Sequence, residues 1–385
     1  MRSALIVAAV AGLVTAGPVA PRDASAQSGI DLTVFDATPK PTKTGPAVGV
    51  SHEPPTYNPA EAQASAVQDA VANPVIAARS EPELVARAST CTNPNQEPDG
   101  YGPVPSPDTY DSFMSWTALD DIANNAPVPE GYFSVFSDLK ASVSGSGYQG
   151  LYTLTSFDPI RCQQACFFFF FLFSPSLSAP VYCDAAPACY GFNMFMERNP
   201  KFTPSDTCVD PESITNYKCT LWGAGVSQAS ATNDGQWRNQ FHVGISGSNG
   251  YNKLAPPASI ADFDGPFALG GAIQAPNSYI GAKYYPGVYD PAQCAAACQA
   301  TTQYDHDHPR SDGTYDACNF FNAYVLSQNN APQGTYCSMY TTSWDKSYST
   351  NYGQYRGDDY FSVSQSYSYK LTVQDSGVVS AAPSS

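Results

Sequence analysis

The chain has 385 residues, with 18 Lys and Arg against 34 Asp and Glu, which gives a formal net charge of −16. This excess of acidic residues argues against a nucleic-acid-binding protein, because phosphate neutralisation needs clustered cations. Only 14% of the residues are charged, whereas 13% are aromatic and 11 are Cys. The composition predicts a secreted protein, extracellular or in a cell wall, that disulfide bonds hold together.

Residues 1–16 have the pattern of a signal peptide. Arg2 precedes an apolar run over residues 4–14, and small residues follow where a signal peptidase cuts. The run is too short to cross the hydrocarbon core of a bilayer, which is about 30 Å thick. We therefore predict a cleaved signal rather than an anchor, and no stable insertion into a membrane.

Residues 17–90 are rich in Pro and Ala and contain neither Cys nor Trp. Such a segment buries little apolar surface within itself, so we predict a disordered leader or pro-segment, with Arg79 and Arg87 as candidate processing sites. Within it, residues 60–72 lack Pro and Gly and predict a short helix. Residues 376–385 are predicted to be a disordered tail.

Matching segments in the same order indicate an internal duplication. The matched pairs are 157–166 with 289–298, 189–193 with 318–322, 219–222 with 337–340, and 233–238 with 351–356. The first copy spans residues 129–253 and the second 261–375, with a linker at 254–258. Residues 91–128 are predicted to be an N-terminal extension that packs on the first copy.

Each copy has a helix signal followed by strand signals. Asp158-Pro159 and Asp290-Pro291 are typical helix starts, because Asp caps the backbone N–H groups and Pro suits the first helical position. Two Cys spaced i, i+4 follow each start, so both lie on one helix face. We predict an α+β fold of two tandem small disulfide-linked domains, each with one helix on an antiparallel β-sheet.

This order of Cys-x3-Cys on a helix, Cys-x-x-Phe, and Cys-x-Leu or Cys-x-Met on a strand resembles PAN/apple domains. More narrowly, it resembles secreted fungal proteins that carry two degenerate modules of this kind. From the residues alone, four Cys in a copy allow three connectivities. The resemblance implies the pairs Cys162–Cys219, Cys166–Cys189, Cys294–Cys337 and Cys298–Cys318.

Three Cys remain outside this scheme, and we pair Cys91 with Cys208. The third, Cys183, ends a run over residues 167–183 that begins with five consecutive Phe. A buried loop and a membrane-inserting tip are possible interpretations. We favour a retained intron or gene-model error, because Phe, Leu, Ser and Pro share pyrimidine-rich codons and deletion of the run leaves an even number of Cys.

Outside the leader, only three His are available for catalysis. We predict that His242 is a strand residue facing solvent, and that His306 and His308 belong to a solvated loop rather than a metal site. No catalytic, cofactor-binding or metal-binding residues are predicted. At the repeated positions Trp237 and Tyr355, we expect the aromatic ring to fill the core while the following Arg238 and Arg356 bond strand ends. The alternative is a ligand face at these positions.

The second copy is dense in aromatic residues, and Tyr340, Trp344, Tyr348 and Tyr352 are a possible ligand face. Flat rings with polar edges suit sugar faces or protein contacts. PAN/apple modules mediate such contacts, so the resemblance implies a non-enzymatic protein that binds a glycan or an extracellular protein at a cell wall or host surface. The alternatives are a secreted hydrolase acting on wall polymers and a structural coat protein. No oligomeric state is predicted.

Overall fold

The computed structural model describes residues 27, 29–50, 52–72, 96–98, 100–163, 183–186 and 188–379. Several predictions fall on residues outside these ranges: the signal peptide, Arg79, Arg87, Cys91, Cys166, most of the Phe-rich run and the end of the tail. Cys208 is disulfide-bonded. The proposed partner of Cys208, Cys91, lies outside the described residues.

The described residues form two large antiparallel sheets and a two-stranded ribbon, which confirms the mixed α+β class. The strands are β1 (His52–Glu53), β2 (Tyr132–Leu139), β3 (Ser142–Val143), β4 (Tyr148–Leu154), β5 (Gly191–Pro200), β6 (Ser213–Trp222), β7 (Ala231–Asn233), β8 (Gly235–Arg238), β9 (Phe241–Lys253), β10 (Phe263–Ala268), β11 (Tyr279–Pro286), β12 (Phe320–Gln328), β13 (Ala331–Tyr340), β14 (Gly353–Arg356) and β15 (Asp359–Leu371). The helices are α1 (Thr33–Ala37), α2 (Pro59–Ala72), α3 (Tyr110–Met114), α4 (Thr117–Asn124), α5 (Pro159–Gln163) and α6 (Pro291–Asp307).

The two sheets follow the same plan. The first has the strand order β1-β4-β6-β5-β9-β2, with β8 paired to β9. The second has the order β10-β15-β12-β13-β11, with β14 paired to β15. The run β4-β6-β5-β9 therefore corresponds to β11-β13-β12-β15, as the order of the repeated segments in the chain requires.

A buried Asn on the central strand of each sheet makes the same hydrogen bonds. The side-chain oxygen of Asn193 accepts from the backbone N–H of Val143 at 2.9 Å, and that of Asn322 accepts from Ile273 at 3.0 Å. Each side-chain nitrogen also donates to a serine hydroxyl of the neighbouring strand at 2.9 Å. Because a buried amide must be fully paired, this network fixes the segment that precedes β4 and the segment that precedes β11 in the same place.

The disulfide bonds also recur. Cys162–Cys219 and Cys294–Cys337 join the first helix Cys of each copy to the matching strand, as the resemblance implies. Cys298–Cys318 is formed in the second copy.

The predicted pair Cys166–Cys189 is wrong, because Cys189 is bonded to Cys183. The backbone explains the exchange. The N–H of Cys183 bonds the carbonyl of Cys162 at 3.5 Å, and that of Asp184 bonds Gln163 at 3.0 Å. Residues 166 and 167 would make these two bonds in an uninterrupted helix. Cys183 thus occupies the helix position that the repeat assigns to Cys166.

Each duplicated copy contains one described α-helix, α5 in the first and α6 in the second, but helices from outside the copies pack alongside them. In the first sheet, α3 and α4 contact β9 in addition to the short α5. In the second, α2 packs along α6. These additional helices come from residues that precede the duplicated segments, so the repeat itself did not reveal them. The predicted short helix at residues 60–72 is present as α2.

We call residues 27–72 the strap, of which residues 28 and 51 are not described. The strap crosses both sheets. It starts on the second sheet, where the N–H of Gln27 bonds the carbonyl of Ala275 at 3.0 Å. It then reaches the first sheet, where the N–H of Gly145 bonds the carbonyl of Thr44 at 2.8 Å, and it returns to the second sheet as α2.

The prediction of disorder is therefore wrong for the strap. Ile30, Leu32 and Phe35 are buried against the second sheet. Composition indicates only how much apolar surface the segment can bury within itself. A few apolar residues are enough here because the sheet surface supplies the rest of the contact.

Candidate functional site

The hairpins β8–β9 and β14–β15 carry the repeated motif at residues 233–238 and 351–356. In each, an Asn side chain accepts the N–H of a Gly two residues later, at 3.3 Å in the first hairpin and 3.0 Å in the second. Gly235 and Gly353 have φ values of 109° and 157°, which other residues rarely adopt. The shared Asn and Gly thus set an identical entry into both hairpins.

The aromatic residues of these hairpins project outward. Trp237 is 64% exposed and Tyr355 is 73% exposed, so the expectation that they fill the core is wrong. Each ring has an aromatic partner directly across the ladder, His242 for Trp237 and Tyr360 for Tyr355. The reason is strand position, because β8 pairs with β9 and β14 with β15 off the main strand order of each sheet.

Three rings stack at the first hairpin: Trp237 and His242 of the hairpin and Tyr110 of α3. We call them the aromatic stack. Tyr110 and His242 lie nearly parallel with centroids 3.6 Å apart. His242 and Trp237 are also parallel, with centroids 4.2 Å apart. Among the described residues, the matching place in the second hairpin has the tilted pair Tyr355–Tyr360, at 4.9 Å. His242 is thus partly buried between two rings instead of facing solvent.

The N-terminal extension delivers Tyr110 to the stack. Just before it, Asp108 accepts from Arg198 at 2.9 Å and from the N–H of Ser213 at 2.7 Å. Tyr110 then begins α3, and its ring approaches Gly244 so closely that a Cβ there would lie 3.0 Å from the ring. Any larger residue at 244 would crowd the stack.

Burial changes the titration of the stack and of its anchor. Burial between the rings lowers the pKa of His242, which favours the neutral imidazole. Burial also raises the pKa of Tyr110. For Asp108, burial opposes ionisation, but hydrogen bonds from Ser213 and Arg198 outweigh it and hold the pKa below the ordinary range.

The Arg that follows each outward ring is bound by the N-terminal part of the chain. Arg238 bonds Glu97 at 3.2 Å, and Arg356 bonds Asp36 at 2.9 Å through one nitrogen. Both acids precede the duplicated segments. These Arg side chains tie the hairpins to the covering segments.

The possible ligand face in the second copy does not come together as one surface. Tyr340 is fully buried, and its hydroxyl bonds the carbonyl of Ile273, so its assignment to that face is wrong. Trp344 and Tyr348 are partly buried and contact each other edge to face at 4.5 Å. Tyr352 is 60% exposed. Trp344 instead lines a 440 Å³ groove with Phe267 and Phe320.

His306 and His308 lie at the end of α6 rather than in a loop. His306 approaches the carboxylate of Asp307 at 3.1 Å, and His308 bonds the carbonyl of Tyr304 at 2.8 Å. In the part of the chain that the structure describes, no three His, Cys, Asp or Glu residues are grouped as metal ligands. Among the described helices, none has the length and apolar character that crossing a bilayer requires.

Sequence reasoning missed the stack for two reasons. Strand alternation puts Trp237 on the face opposite the polar residues Gln236 and Arg238, which predicts a core position, whereas β8 lies off the main strand order of its sheet. Tyr110 lies outside the repeat, and no local pattern connects it to His242, which is 132 residues away by numbering.

Comparisons with protein-family models, curated proteins and solved structures give no match to this chain.

Proposed function

We propose that the chain is a secreted, non-enzymatic protein of two PAN/apple-like modules that binds carbohydrate at a cell wall or host surface. The aromatic stack is the proposed contact. One observation carries this proposal: Trp237 is 64% exposed although its ring is supported from behind by two parallel rings.

The stack has the physical properties of a sugar-binding platform. An exposed indole presents a flat apolar face, and its polar edge can hydrogen-bond hydroxyl groups. Because His242 and Tyr110 already hold the ring, binding loses little side-chain entropy. The lowered pKa of His242 favours the neutral imidazole, so the aromatic stack carries no positive charge at this ring.

Charge favours a neutral glycan over an anionic one. The chain carries a net charge of −16. The carboxylates of Asp234 and Asp111 lie close enough to influence the pKa of His242. A polyanion would therefore be repelled at the stack, whereas neutral hydroxyl groups would find acceptors there.

The duplicated disulfides support the rest of the proposal. Cys162–Cys219 and Cys294–Cys337 occupy matching places, as expected for two modules of one kind. Disulfide bonds persist in oxidising compartments, which is consistent with secretion.

The test is a pull-down of the full chain on insoluble chitin, β-glucan and mannan. We expect retention on at least one polymer, and at least tenfold weaker retention for Trp237→Ala. The matched control is Tyr101→Ala, since Tyr101 is 62% exposed but lies outside the stack. Tyr101→Ala should bind like the parent chain.

Soluble sugars are measured in the same samples. Retention without sugar release supports the proposal. Release of oligosaccharides would instead favour a hydrolase, and no retention on any polymer would refute carbohydrate binding.

A further inference from the structure

The second hairpin holds one residue of the strap through a side-chain amide, and the first hairpin has the matching Gln without an occupant from the described residues. In the second hairpin, Gln354 accepts from the backbone N–H of Ile30 at 2.8 Å and donates to the carbonyl of Ile30 at 2.8 Å. One side-chain amide thus pairs with both polar groups of a single strap residue, as a neighbouring β-strand would.

The matching residue in the first hairpin is Gln236, and its surroundings differ. Gln236 is exposed, and it lines a 540 Å³ cavity between β8 and residues 42–46 of the strap. Residues 42–46 of the strap line this cavity. Among the described residues, none of them pairs with the Gln236 side chain as Ile30 pairs with Gln354.

We propose that this cavity binds an extended peptide segment from another molecule, with Gln236 pairing to one backbone N–H and C=O of that segment. The volume lies within the range of about 300–1,000 Å³ that is usual for ligand sites. The walls also contain Thr44, Ser144 and Asn233, which already bond within the fold: Ser144 donates to the Thr44 carbonyl, and Asn233 donates to Ser142 and accepts from the N–H of Gly235. This site is separate from the aromatic stack and does not depend on carbohydrate binding.

The geometry of the clamp selects a peptide. In an extended chain, the N–H and C=O of one residue point to the same side, so a primary amide can meet both at once. Residues Gly29 to Asp31 of this chain show the arrangement at Gln354, where the following carbonyl, that of Asp31, accepts from Tyr336 at 2.8 Å. An acetamido group on a sugar has its N–H and C=O on opposite sides and cannot pair with one glutamine in this way.

The probe is the synthetic peptide acetyl-Ser-Gly-Ile-Asp-amide, which has the sequence of residues 28–31. It is titrated into the full ¹⁵N-labelled chain while the Gln side-chain amide signals are followed by NMR. We expect saturable shifts of the Gln236 signals, and a dissociation constant at least tenfold higher in Gln236→Leu. That loss corresponds to about 1.4 kcal/mol, in the range of one or two net hydrogen bonds.

Gln228→Leu is the matched control, because Gln228 is also exposed but lies outside the cavity. It should bind the peptide like the parent chain. Equal affinity of Gln236→Leu and the parent would overturn the proposal, as would no saturable shift. Chitohexaose is titrated in parallel, and shifts of Gln236 with this sugar but not with the peptide would assign the cavity to carbohydrate instead.

Discussion

The same face of the two sheets lies beneath the strap, but the two faces have opposite chemistry. On the second sheet, Tyr324 and Tyr336 stack at 5.0 Å, and Phe35 of the strap packs close to them. On the first sheet, the positions that match Leu326 and Tyr336 hold Glu197 and Lys218, which form a buried ion pair at 3.7 Å.

The strap nevertheless makes corresponding bonds on both faces. The Tyr336 hydroxyl donates to the carbonyl of Asp31 at 2.8 Å, and the Lys218 ammonium donates to the carbonyl of Val50 at 2.6 Å. The two sheets therefore share their backbone framework and its buried amides, whereas the side chains on the strap-covered face differ between them. One face is stabilised by apolar contact and the other by paired charge.

The largest effect is expected from breaking the buried ion pair. Lys218→Met leaves the carboxylate of Glu197 without its cationic partner, and both side chains are almost fully buried. We expect a loss of about 3–5 kcal/mol in the free energy of unfolding, measured with urea. A loss below about 1 kcal/mol would show that the pair is not buried as described.

The matched variant is the double change Glu197→Leu with Lys218→Tyr, which installs the residues of the second sheet. Because it removes both charges together, it should be close to neutral or stabilising. A double variant as unstable as Lys218→Met would contradict the equivalence of the two faces.

On the second sheet, the corresponding test is Phe35→Ala. Phe35 is buried against Tyr284 and Phe361 at centroid distances of 5.0 and 5.2 Å. We expect a loss of about 3 kcal/mol, together with faster hydrogen exchange of strap amides, because the truncation leaves a cavity. Phe133→Ala, at an exposed ring, should lose under about 1 kcal/mol. Equal losses for the two variants would contradict a docked strap.

A smaller effect is expected from acid, and it differs between the sheets. Hydrogen bonds hold the pKa of Asp108 below its ordinary value of 3.8, so its contribution to stability is present above that value and is lost as pH falls. Burial raises the pKa of Asp290, so its contribution is present at low pH and is lost as pH rises through the raised pKa.

The measurement is the free energy of unfolding between pH 3 and pH 7 for Asp108→Asn and Asp290→Asn. In Asp108→Asn, the free energy of unfolding should decrease less than in the parent chain as pH falls below about 4. In Asp290→Asn, the decrease with rising pH should disappear, and the Asn side chain should still cap α6. A steeper acid loss of stability in Asp108→Asn than in the parent chain, or a steeper loss with rising pH in Asp290→Asn, would contradict the assigned directions.

The sequence was informative about the duplicated parts and uninformative about what covers them. The repeated segments, with their Asp-Pro helix starts and strand signals, predicted two antiparallel sheets, because these patterns act over a few neighbouring residues. The strap contacts depend on pairs such as Ile30 and Gln354, 324 residues apart, and no local pattern encodes them. The helix position of Cys183 could not be predicted for the same reason, because its backbone bond to Cys162 joins residues that the Phe-rich run separates in the sequence.

The candidate site was predicted in part. Trp237 was expected in the core and His242 on a solvent-facing strand position. Their stacking requires the cross-strand register of β8 and β9, and Tyr110 comes from outside the repeat. Exposure of an aromatic residue at a sheet edge cannot be read from composition alone.

Carbohydrate binding at the aromatic stack is measured most directly by NMR titration of the Trp237 indole N–H, assigned with Trp237→Phe. The sugars are chitohexaose, laminarihexaose and mannohexaose. We expect saturable shifts of this signal and of the His242 ring with at least one of them. Saturable binding that moves other signals but leaves Trp237 and His242 unchanged would contradict this expectation, as would no shift with any of the three.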